Sequence, residues 1–277
     1  MAFAKLDNNL SYWQKQVKPL FPDLAWNIPE QKTGQITVIG GNSQSFHSVI
    51  RLAEFLDHNF PLREVSIFLP DALRGQLPPL PNITFVPSTE SGSFAKSFDL
   101  RQALKTGDFT LLAGDLSKNS ATAIALSDAI TSLIANNQDD APLKPLLLTR
   151  DSVDLLAESA AELLKHPRLF LVASMAQLQK VFRAVYYPRM IMLSQPLLPV
   201  VETLHKFTLS YPATIVTFHQ NQIIVANSGD VTTTPIENTR YTPLSLWSGQ
   251  LAGKIAALNL YNPNQPLKAT TAAILFD

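Results

Sequence analysis

The chain has 277 residues, and its 22 Lys and Arg balance 22 Asp and Glu, so the formal net charge is zero. A neutral chain has no electrostatic surplus with which to hold polyphosphate backbones or anionic lipid, which argues against nucleic acid and membrane surfaces as partners. Hydrophobic residues make up 46% and charged residues only 16%. Because soluble domains usually carry roughly 25% charged residues, we expect a large core and a homo-oligomeric interface.

The chain contains no cysteine, which excludes disulfides, thiol catalysis and thiolate metal sites. No stretch approaches the roughly 18 apolar residues of a membrane span. The start, MAFAKLDNNLSYW, lacks the apolar segment and cleavage site of a secretory signal, so we expect a cytoplasmic protein. Glycine is scarce, with 10 residues against 20 prolines. Loops that cradle phosphate are normally built from glycine.

The first clear strand is QITVIG, residues 35–40, and Gly41, Asn42 and Ser43 follow it as a tight turn. Apolar residues then recur at helical spacing through residues 43–58. The sequence therefore predicts a strand, a turn and an amphipathic helix.

The middle of the chain alternates short apolar runs with segments of helical period, which is typical of βαβ units and a mainly parallel sheet covered on both faces. Five further strands are predicted at 64–70, 82–87, 109–114, 145–149 and 169–173, with helices near 121–135 and 152–165.

The pattern changes after residue 210. Residues 213–218 and 223–227 flank the polar turn HQNQ and predict an antiparallel hairpin. A polar, Thr-rich stretch, 228–242, follows, and we assign no strand to it. Residues 248–260 predict a last helix whose small side chains permit close packing. We find no repeat or long linker, and expect one domain, 1–277, with its core between about 32 and 260.

Three segments carry short motifs. KTGQITVIGGNS (32–43) is similar to an opening strand of pattern KGxxGxVLVIGGS, LLLTRDSVDLL (146–156) to DADALNLL, and WSGQLAGKIAAL (247–258) to GTGDVLAGIIAAL. In these motifs, and in element order over 32–260, the chain resembles the ribokinase-like superfamily and, within it, the ADP- or ATP-dependent NAD(P)H-hydrate dehydratases. LLAGDLSKNSAT stands where that family has GPGLG, and only Gly114 and Leu116 agree.

The resemblance implies an α/β fold of three layers, with a mostly parallel central sheet flanked by helices and a late antiparallel hairpin. It also implies ATP or ADP with Mg as the cofactor. Candidate cofactor-binding positions lie at the ends of the predicted strands and at the start of the last helix: Gly40, Gly41, Asn42, Ser43, Gly114, Asp115, Asp151, Ser248, Gly249 and Gln250.

The chain departs from the family where the chemistry lies. The resemblance places a catalytic Asp where this chain has Gln250, and the first glycine of an anion hole where it has Trp247. An amide takes up no proton near neutral pH, so general base catalysis through this position is lost, and we name no catalytic residue. Gln177 replaces a Glu expected in the motif TPHPGE, and Phe218-His219 replaces an expected Lys-Gly.

Each candidate has a structural alternative. Gly40 and Gly41 either contact a ligand phosphate or permit a tight turn. Asp151 either contacts a metal or phosphate or caps a helix, and we favour the cap. The backbone N–H groups at Gly249 and directly after it either still bind an anion in the absence of the Asp or have no ligand. Asp115, in a strand-to-helix loop, is a weaker candidate for the same cavity.

Other chemistries lack a motif. The five histidines show no HxH or HExxH spacing, so we expect no metal site. No GxSxG elbow suggests a Ser-His-Asp triad, although triads are defined by geometry. The nucleotide motifs GxGxxG and GxxxxGK[ST] both fail.

We therefore predict a diverged dehydratase relative without dehydratase activity. It would bind a nucleotide or an NAD(P)H-like molecule at the carboxyl ends of the strands and act as a binding, regulatory or assembly protein. One alternative is an active ATP- or ADP-dependent dehydratase in which Asp115 or Asp151 replaces the lost Asp. The other is a small-molecule kinase of the same superfamily, against which Gln250 argues equally.

Overall fold

The computed structural model of the protein describes residues 4–5, 11–15, 28–77, 82–95, 100–117, 119–135, 143–243 and 245–275. Its strands are β1 (Ala4–Lys5), β2 (Trp13–Lys15), β3 (Gln35–Ile39), β4 (Glu64–Pro70), β5 (Ile83–Val86), β6 (Phe109–Leu112), β7 (Leu146–Thr149), β8 (Leu169–Val172), β9 (Ala213–His219), β10 (Gln222–Asn227) and β11 (Asp230–Pro235).

All eleven strands join one sheet in the order β1-β2-β11-β10-β9-β8-β7-β6-β3-β4-β5. Neighbours from β9 to β5 pair in parallel. At the other side, β10 pairs antiparallel with both β9 and β11, and β2 lies parallel to β11. The predicted fold class is confirmed.

The helices are α1 (His47–Asn59), α2 (Leu100–Thr106), α3 (Ser120–Ala135), α4 (Asp151–Leu156), α5 (Ala160–Leu163), α6 (Met175–Ala184), α7 (Leu197–Ser210), α8 (Ser245–Ser248), α9 (Gln250–Tyr261) and α10 (Pro266–Leu275). Buried residues of α1, α9 and α10 form a core on one face of the sheet. Those of α2 to α7 form a second core on the other face. Among these described helices, none has the length and apolar character needed to span a bilayer.

The seven strands from β3 to β9 agree with the predicted strands to within two residues at each end. Their interior positions are almost all buried. Parallel strands covered by helices on both faces require such continuous apolar runs, which is why the sequence marks them clearly. The predicted hairpin also forms, with the turn at Gln220 and Asn221, both at positive φ.

The Thr-rich stretch 228–242 contains a strand, which corrects our interpretation of it. In β11 the hydroxyl of Thr232 hydrogen-bonds to Thr271 at 2.7 Å, and Trp13 Nε1 donates to Thr233 Oγ1 at 3.1 Å. Threonine is β-branched and suits a strand, and these bonds satisfy the hydroxyls of Thr232 and Thr233 in the interior. The predicted hairpin is therefore part of a three-stranded meander.

Two predicted helices have different bounds. The segment 152–165 is broken into α4, a 3₁₀ turn over Ala157–Ser159, and α5. The helix predicted from residue 248 begins at Gln250, because Gly249 has a left-handed φ of +77° and so ends the short helix α8 before it. We predicted no helix at α2, α6, α7 or α10. Since β2 and α10 contribute to the two cores, the folded unit extends beyond the expected core of 32–260.

The strand order reverses between β3 and β6. From β3 the chain proceeds outward through β4 and β5, and then returns to place β6 on the opposite side of β3. In open α/β sheets such a reversal opens a crevice at the carboxyl ends of the two strands. The loops after β3 and β6 meet at this place.

Candidate functional site

A group of hydrogen-bonded side chains, which we call the strand-end cluster, lies where the loops after β3, β6 and β7 meet. Its members are Asn42, Ser48, Asp115 and Arg150. Asn42 Nδ2 donates to the carbonyl oxygen of Asp115 at 2.6 Å, and Ser48 Oγ donates to Asp115 Oδ2 at 2.5 Å. Arg150 Nη1 donates to Ser48 Oγ at 2.9 Å, and Arg150 Nη2 forms an ion pair with Asp115 Oδ1. Both carboxylate oxygens of Asp115 therefore have partners.

Left-handed backbone holds the strand-end cluster together. Gly41 and Gly114 have φ of +88° and +85°, and the non-glycine residues Asp115 and Arg150 have +52° and +58°. Non-glycine residues adopt such angles only where surrounding contacts impose them, and they concentrate at functional sites. A Cβ on Gly114 would lie 2.4 Å from the Cβ of Arg150, and one on Gly40 would lie 2.7 Å from the Gly114 carbonyl oxygen. Packing between the loops thus accounts for these glycines.

Asp151 lies beside this cluster but is not the N-cap of α4, which corrects the interpretation we favoured. Arg150 occupies the cap position, with φ +58° and ψ −131°, and Asp151 is the first residue of the helix. The turn is held instead by Ser152, whose hydroxyl accepts from Thr149 N at 2.9 Å. The chain enters α4 through Arg150 because the Arg150 side chain must reach back toward β6.

Gln177 joins the cluster to the end of β8. Its Nε2 donates to the carbonyl oxygen of Arg150 at 2.7 Å and to Asp154 Oδ2 at 2.9 Å. Its Oε1 accepts from Ser174 N at 3.0 Å, which forms a capping box at the start of α6. Asp154 also pairs with Lys180. The amide that replaces the expected Glu therefore holds Arg150 and Asp154 in place.

Ser43 is turned away from the cluster. Its Oγ donates to Ser91 O and its N–H donates to Gly92 O, each at 3.0 Å. A Cβ on Gly92 would lie 2.4 Å from the Cβ of Ser43. Ser43 thus attaches the loop after β3 to the turn that follows β5.

Ser248, Gly249 and Gln250 form a second location, at the start of α9. Gly249 is the N-cap, and a Cβ there would lie 3.3 Å from Leu52 of α1. The hydroxyl of Ser248 accepts from Gln250 N at 3.3 Å, so it satisfies one of the amide donors at this helix end. Trp247 is in α8, and its side chain lies outside the described part of the structure.

The Gln250 side chain lines a cavity of about 430 Å³, which we call the α9 cavity. Its cationic members are Arg240 and Lys254, and Lys254 Nζ lies 5.4 Å from the ring centroid of Tyr241, a distance suited to a cation–π contact. None of the described residues that line it is acidic. The full lining is Phe55, Asn59, Phe60, Arg240, Tyr241, Ser245, Gln250, Lys254 and Ile274.

The α9 cavity suits an anion that carries a ring, because two cations and three aromatic side chains surround it. It does not fit Mg²⁺ as a protein-bound ion. Magnesium is normally held by carboxylates, and the lining offers only amide, hydroxyl and carbonyl oxygens.

Solved structures share this architecture. A ribokinase-like superfamily protein from Enterococcus faecalis has a TM-score of 0.66 and 14% identity, over 96% of this chain and 86% of that one. The chain has the ribokinase-like fold. The ADP/ATP-dependent NAD(P)H-hydrate dehydratase of Bacillus subtilis, co-crystallised with ATP and Mg²⁺, has a TM-score of 0.59 and 17% identity, over 93% and 86%. Bacillus subtilis pyridoxal kinase, in an ADP complex, has a TM-score of 0.50 and 11% identity, over 87% and 89%.

No protein-family model matches the sequence, and no curated protein matches it. At these identities the similarity extends to the ribokinase-like fold alone.

The ribokinase-like fold divides the predicted site residues between two places. Gly40, Gly41, Asn42, Gly114 and Asp115 meet at the switch between β3 and β6, and Asp151 follows Arg150 beside them. Ser248, Gly249 and Gln250 lie at the α9 cavity or directly beside it. Helix α1 contributes Ser48 to the first place and Phe55 to the second. Seven residues of helix separate Ser48 and Phe55 by about 10 Å along α1.

Sequence reasoning missed Ser48, Arg150, Arg240 and Lys254. Arg150 carried a signal, since it is a long basic residue directly after a buried strand of the ribokinase-like fold. Lys254 lies inside the motif WSGQLAGKIAAL, and Ser48 lies on the predicted amphipathic helix, but neither residue was singled out. Arg240 lies in a polar loop where nothing local marks it.

Proposed function

We propose that this chain is a binding or regulatory protein without dehydratase activity, and that its ligand is a nucleotide-like anion held in the α9 cavity. One observation carries the proposal. Gln250 stands where the resemblance places a catalytic Asp, and it lines a cavity whose other members include two basic and three aromatic residues. The position therefore keeps a ligand-binding environment without a group that takes up a proton.

The chemistry of the lining supports this ligand class. Arg240 and Lys254 supply charge for phosphate oxygens, while Phe55, Phe60 and Tyr241 supply apolar and ring surfaces. A volume of about 430 Å³ lies within the roughly 300–1,000 Å³ typical of small-molecule sites. Two proteins of the same fold were crystallised with nucleotides, which agrees with a nucleotide as the first ligand to test. Because the lining contains no carboxylate, a magnesium ion would be held by the phosphates of the ligand and not by the protein.

The strand-end cluster argues against the catalytic alternatives. If Asp115 acted as the general base in place of the lost Asp, its carboxylate would first have to leave Arg150 and Ser48. Both of its oxygens are occupied by these partners. A base at Asp115 therefore requires a rearrangement of this cluster. Asp151, the other alternative, lies beside the cluster at the start of α4, and we place both catalytic alternatives behind the binding protein.

Binding is tested by the shift in thermal unfolding with ATP, ADP and NADH. A ligand at a hundredfold its dissociation constant adds about 2.7 kcal/mol to the free energy of unfolding. We expect Lys254→Met to weaken binding of the stabilising ligand about tenfold or more, because it removes a charge-assisted contact. Lys268→Met, at an exposed position of α10 outside the cavity, is the matched control. Stabilisation that survives Lys254→Met would show that the ligand binds elsewhere.

Activity is tested by incubating the purified protein with hydrated NADH and either ATP or ADP, and following NADH and phosphate release. We expect no turnover above the uncatalysed rate. If the protein dehydrates hydrated NADH and the Gln250→Ala variant keeps this activity, the proposal of an inactive protein is refuted and the base lies at another residue.

The low charged fraction also leads us to propose a homo-oligomer. Light scattering at micromolar concentration gives the mass in solution. A mass of 30.5 kDa would be that of the monomer and would contradict the proposal.

A further inference from the structure

The loop between α6 and α7, residues 185–196, exposes large apolar side chains. Tyr186 is 93% exposed, Leu193 is 72% exposed, and Met190 and Met192 are also exposed. We call these four residues the apolar tip. Isolated exposed apolar residues are ordinary, but four within eight positions of one loop mark an interaction surface.

The loop is built to hold the apolar tip outward. Tyr187 packs its ring 5.2 Å from that of Phe182, and Ile191 is fully buried. The Gln195 carbonyl oxygen accepts from His219 Nε2 and Gln220 Nε2, each at 2.8 Å. Tyr187, Ile191 and Gln195, which lie four positions apart, thus anchor the loop, and the four residues of the apolar tip between them are exposed. Tyr186 itself has a positive φ of +51°. Because these contacts fix the loop, loose packing does not explain why the apolar tip is exposed.

The surroundings of the apolar tip are basic, although the chain as a whole is neutral. Residues 163–201 contain five Lys and Arg and no Asp or Glu. Lys165 pairs with Glu162, Lys180 pairs with Asp154, and Arg168 lines a separate cavity, so the charge beside the tip comes from Arg183 and Arg189. Arg183 and Arg189, both exposed, flank Tyr186 and precede Met190. The net charge of the chain is zero, which argues against binding to anionic surfaces, but the charge near the apolar tip is positive.

This combination matches an anionic lipid surface. Tyrosine, leucine and methionine suit the boundary between headgroups and acyl chains, and arginine binds lipid phosphates. The α9 cavity and a second cavity, lined in part by Arg168, contain basic residues and no acidic one, so neither suits the arginines of a second copy.

We propose that the α6–α7 loop docks the protein on an anionic membrane surface. The apolar tip enters the headgroup region, and Arg183 and Arg189 bind the phosphates around it. The protein lies on the surface through this loop alone, and the α9 cavity stays open to solvent. The proposal is independent of the ligand proposed for that cavity.

Vesicle sedimentation with the full chain tests this proposal. One set of vesicles is phosphatidylcholine with about 30% phosphatidylserine, and the other is phosphatidylcholine alone, both in about 0.1 M salt. We expect binding to the first set and far weaker binding to the second. Because each basic residue near an anionic surface contributes about fivefold in binding, Arg183→Gln with Arg189→Gln should weaken it about thirtyfold. Tyr186→Ser with Leu193→Ser should weaken it at least tenfold.

The matched controls are Arg51→Gln on α1 and Ile124→Ser on α3, which change an exposed charge and an exposed apolar residue away from the loop. We expect both to bind as the wild type does. Thermal unfolding of every variant shows that each remains folded. Absence of vesicle binding, equal binding to the two lipid mixtures, or unchanged binding by the loop variants would each overturn the proposal. The proposal would also be overturned if the protein did not bind vesicles and formed a dimer that Leu193→Ser dissociates. The apolar tip would then contact a second copy of the chain.

Discussion

The guanidinium of Arg150 and the carboxylate of Asp115 form an ion pair across the carboxyl ends of β6 and β7. Only 14% and 11% of these two side chains is exposed. Ser48 hydrogen-bonds to both partners, so the pair also connects α1 to the two strands. The loops after β6 and β7 and the start of α1 are thus held together by these contacts.

Removing either partner of this pair should destabilise the protein strongly. Arg150→Ala or Asp115→Ala leaves a largely buried charge without its counter-ion, and we expect a loss of about 3 kcal/mol in the free energy of unfolding. The double variant should lose less than the sum of the single losses. Urea unfolding measures all three. Lys165→Ala, which breaks the exposed pair with Glu162, is the control and should cost about 0.5 kcal/mol or less. Additive losses would mean that the pair contributes no coupling.

Gly114 should tolerate no side chain. Gly114→Ala places a Cβ 2.4 Å from the Cβ of Arg150 on a backbone with φ +85°, and we expect a loss of about 3 kcal/mol. Gly75→Ala is the matched control, since no atom lies within 4 Å of the added Cβ, and it should change the free energy of unfolding by about 0.5 kcal/mol or less. Equal unfolding midpoints for the two variants would contradict the close approach between Gly114 and the Arg150 side chain.

The sequence predicts the sheet better than the site. Strands β3, β4 and β6 to β9 follow from apolar runs, since burial on both faces allows few other residues, whereas β5 is an edge strand with one buried residue. Strand β11 was missed because its buried threonines are individually polar. Trp13 and Thr271 supply hydrogen-bond partners for two of them, Thr233 and Thr232. Those partners lie 220 and 39 positions away along the chain. No local pattern contains that information.

The candidate site shows the same limit. The glycines after β3 and β6 could be found from their place at strand ends, and so could Asp115. That Arg150 would fill the space beside Asp115 depends on the register between β6 and β7 and on the absence of a side chain at Gly114. The motif comparison placed Gln250 with the strand-end glycines. In the structure Gln250 lines the α9 cavity together with Arg240 and Lys254.

His166 should make stability depend on pH. Burial, aided by Arg168, lowers the pKa of His166 to about 4, against about 6.5 in the unfolded chain. Between these values only the unfolded chain takes up the proton, so the free energy of unfolding falls by about 3 kcal/mol as the pH drops from 6.5 to 4. Because His166 Nδ1 accepts from Arg168 N at 3.2 Å, His166→Asn keeps an acceptor without the titration. Urea unfolding at pH 7 and pH 4.5 should show a smaller pH effect in this variant. An identical effect in both proteins would assign it to other groups.

Replacing Gln177 with the Glu that the motif resemblance predicts should harm the protein. In Gln177→Glu one carboxylate oxygen keeps the capping box with Ser174, but the other replaces the donor that binds the Arg150 carbonyl oxygen and Asp154. We expect a loss of about 2 kcal/mol at pH 7, because two hydrogen bonds become contacts between acceptors. These contacts disfavour the charged form and raise the pKa of the new carboxyl in the folded state, so the loss should shrink as the pH falls.

Urea unfolding at pH 7 and pH 4.5 measures the effect of Gln177→Glu. Gln102→Glu, at an exposed position of α2, is the control and should change stability by about 0.5 kcal/mol or less at either pH. A Gln177→Glu variant as stable as the wild type at pH 7 would show that an acid fits among these acceptors. A loss confined to neutral pH would show instead that the surroundings of residue 177 require a hydrogen-bond donor.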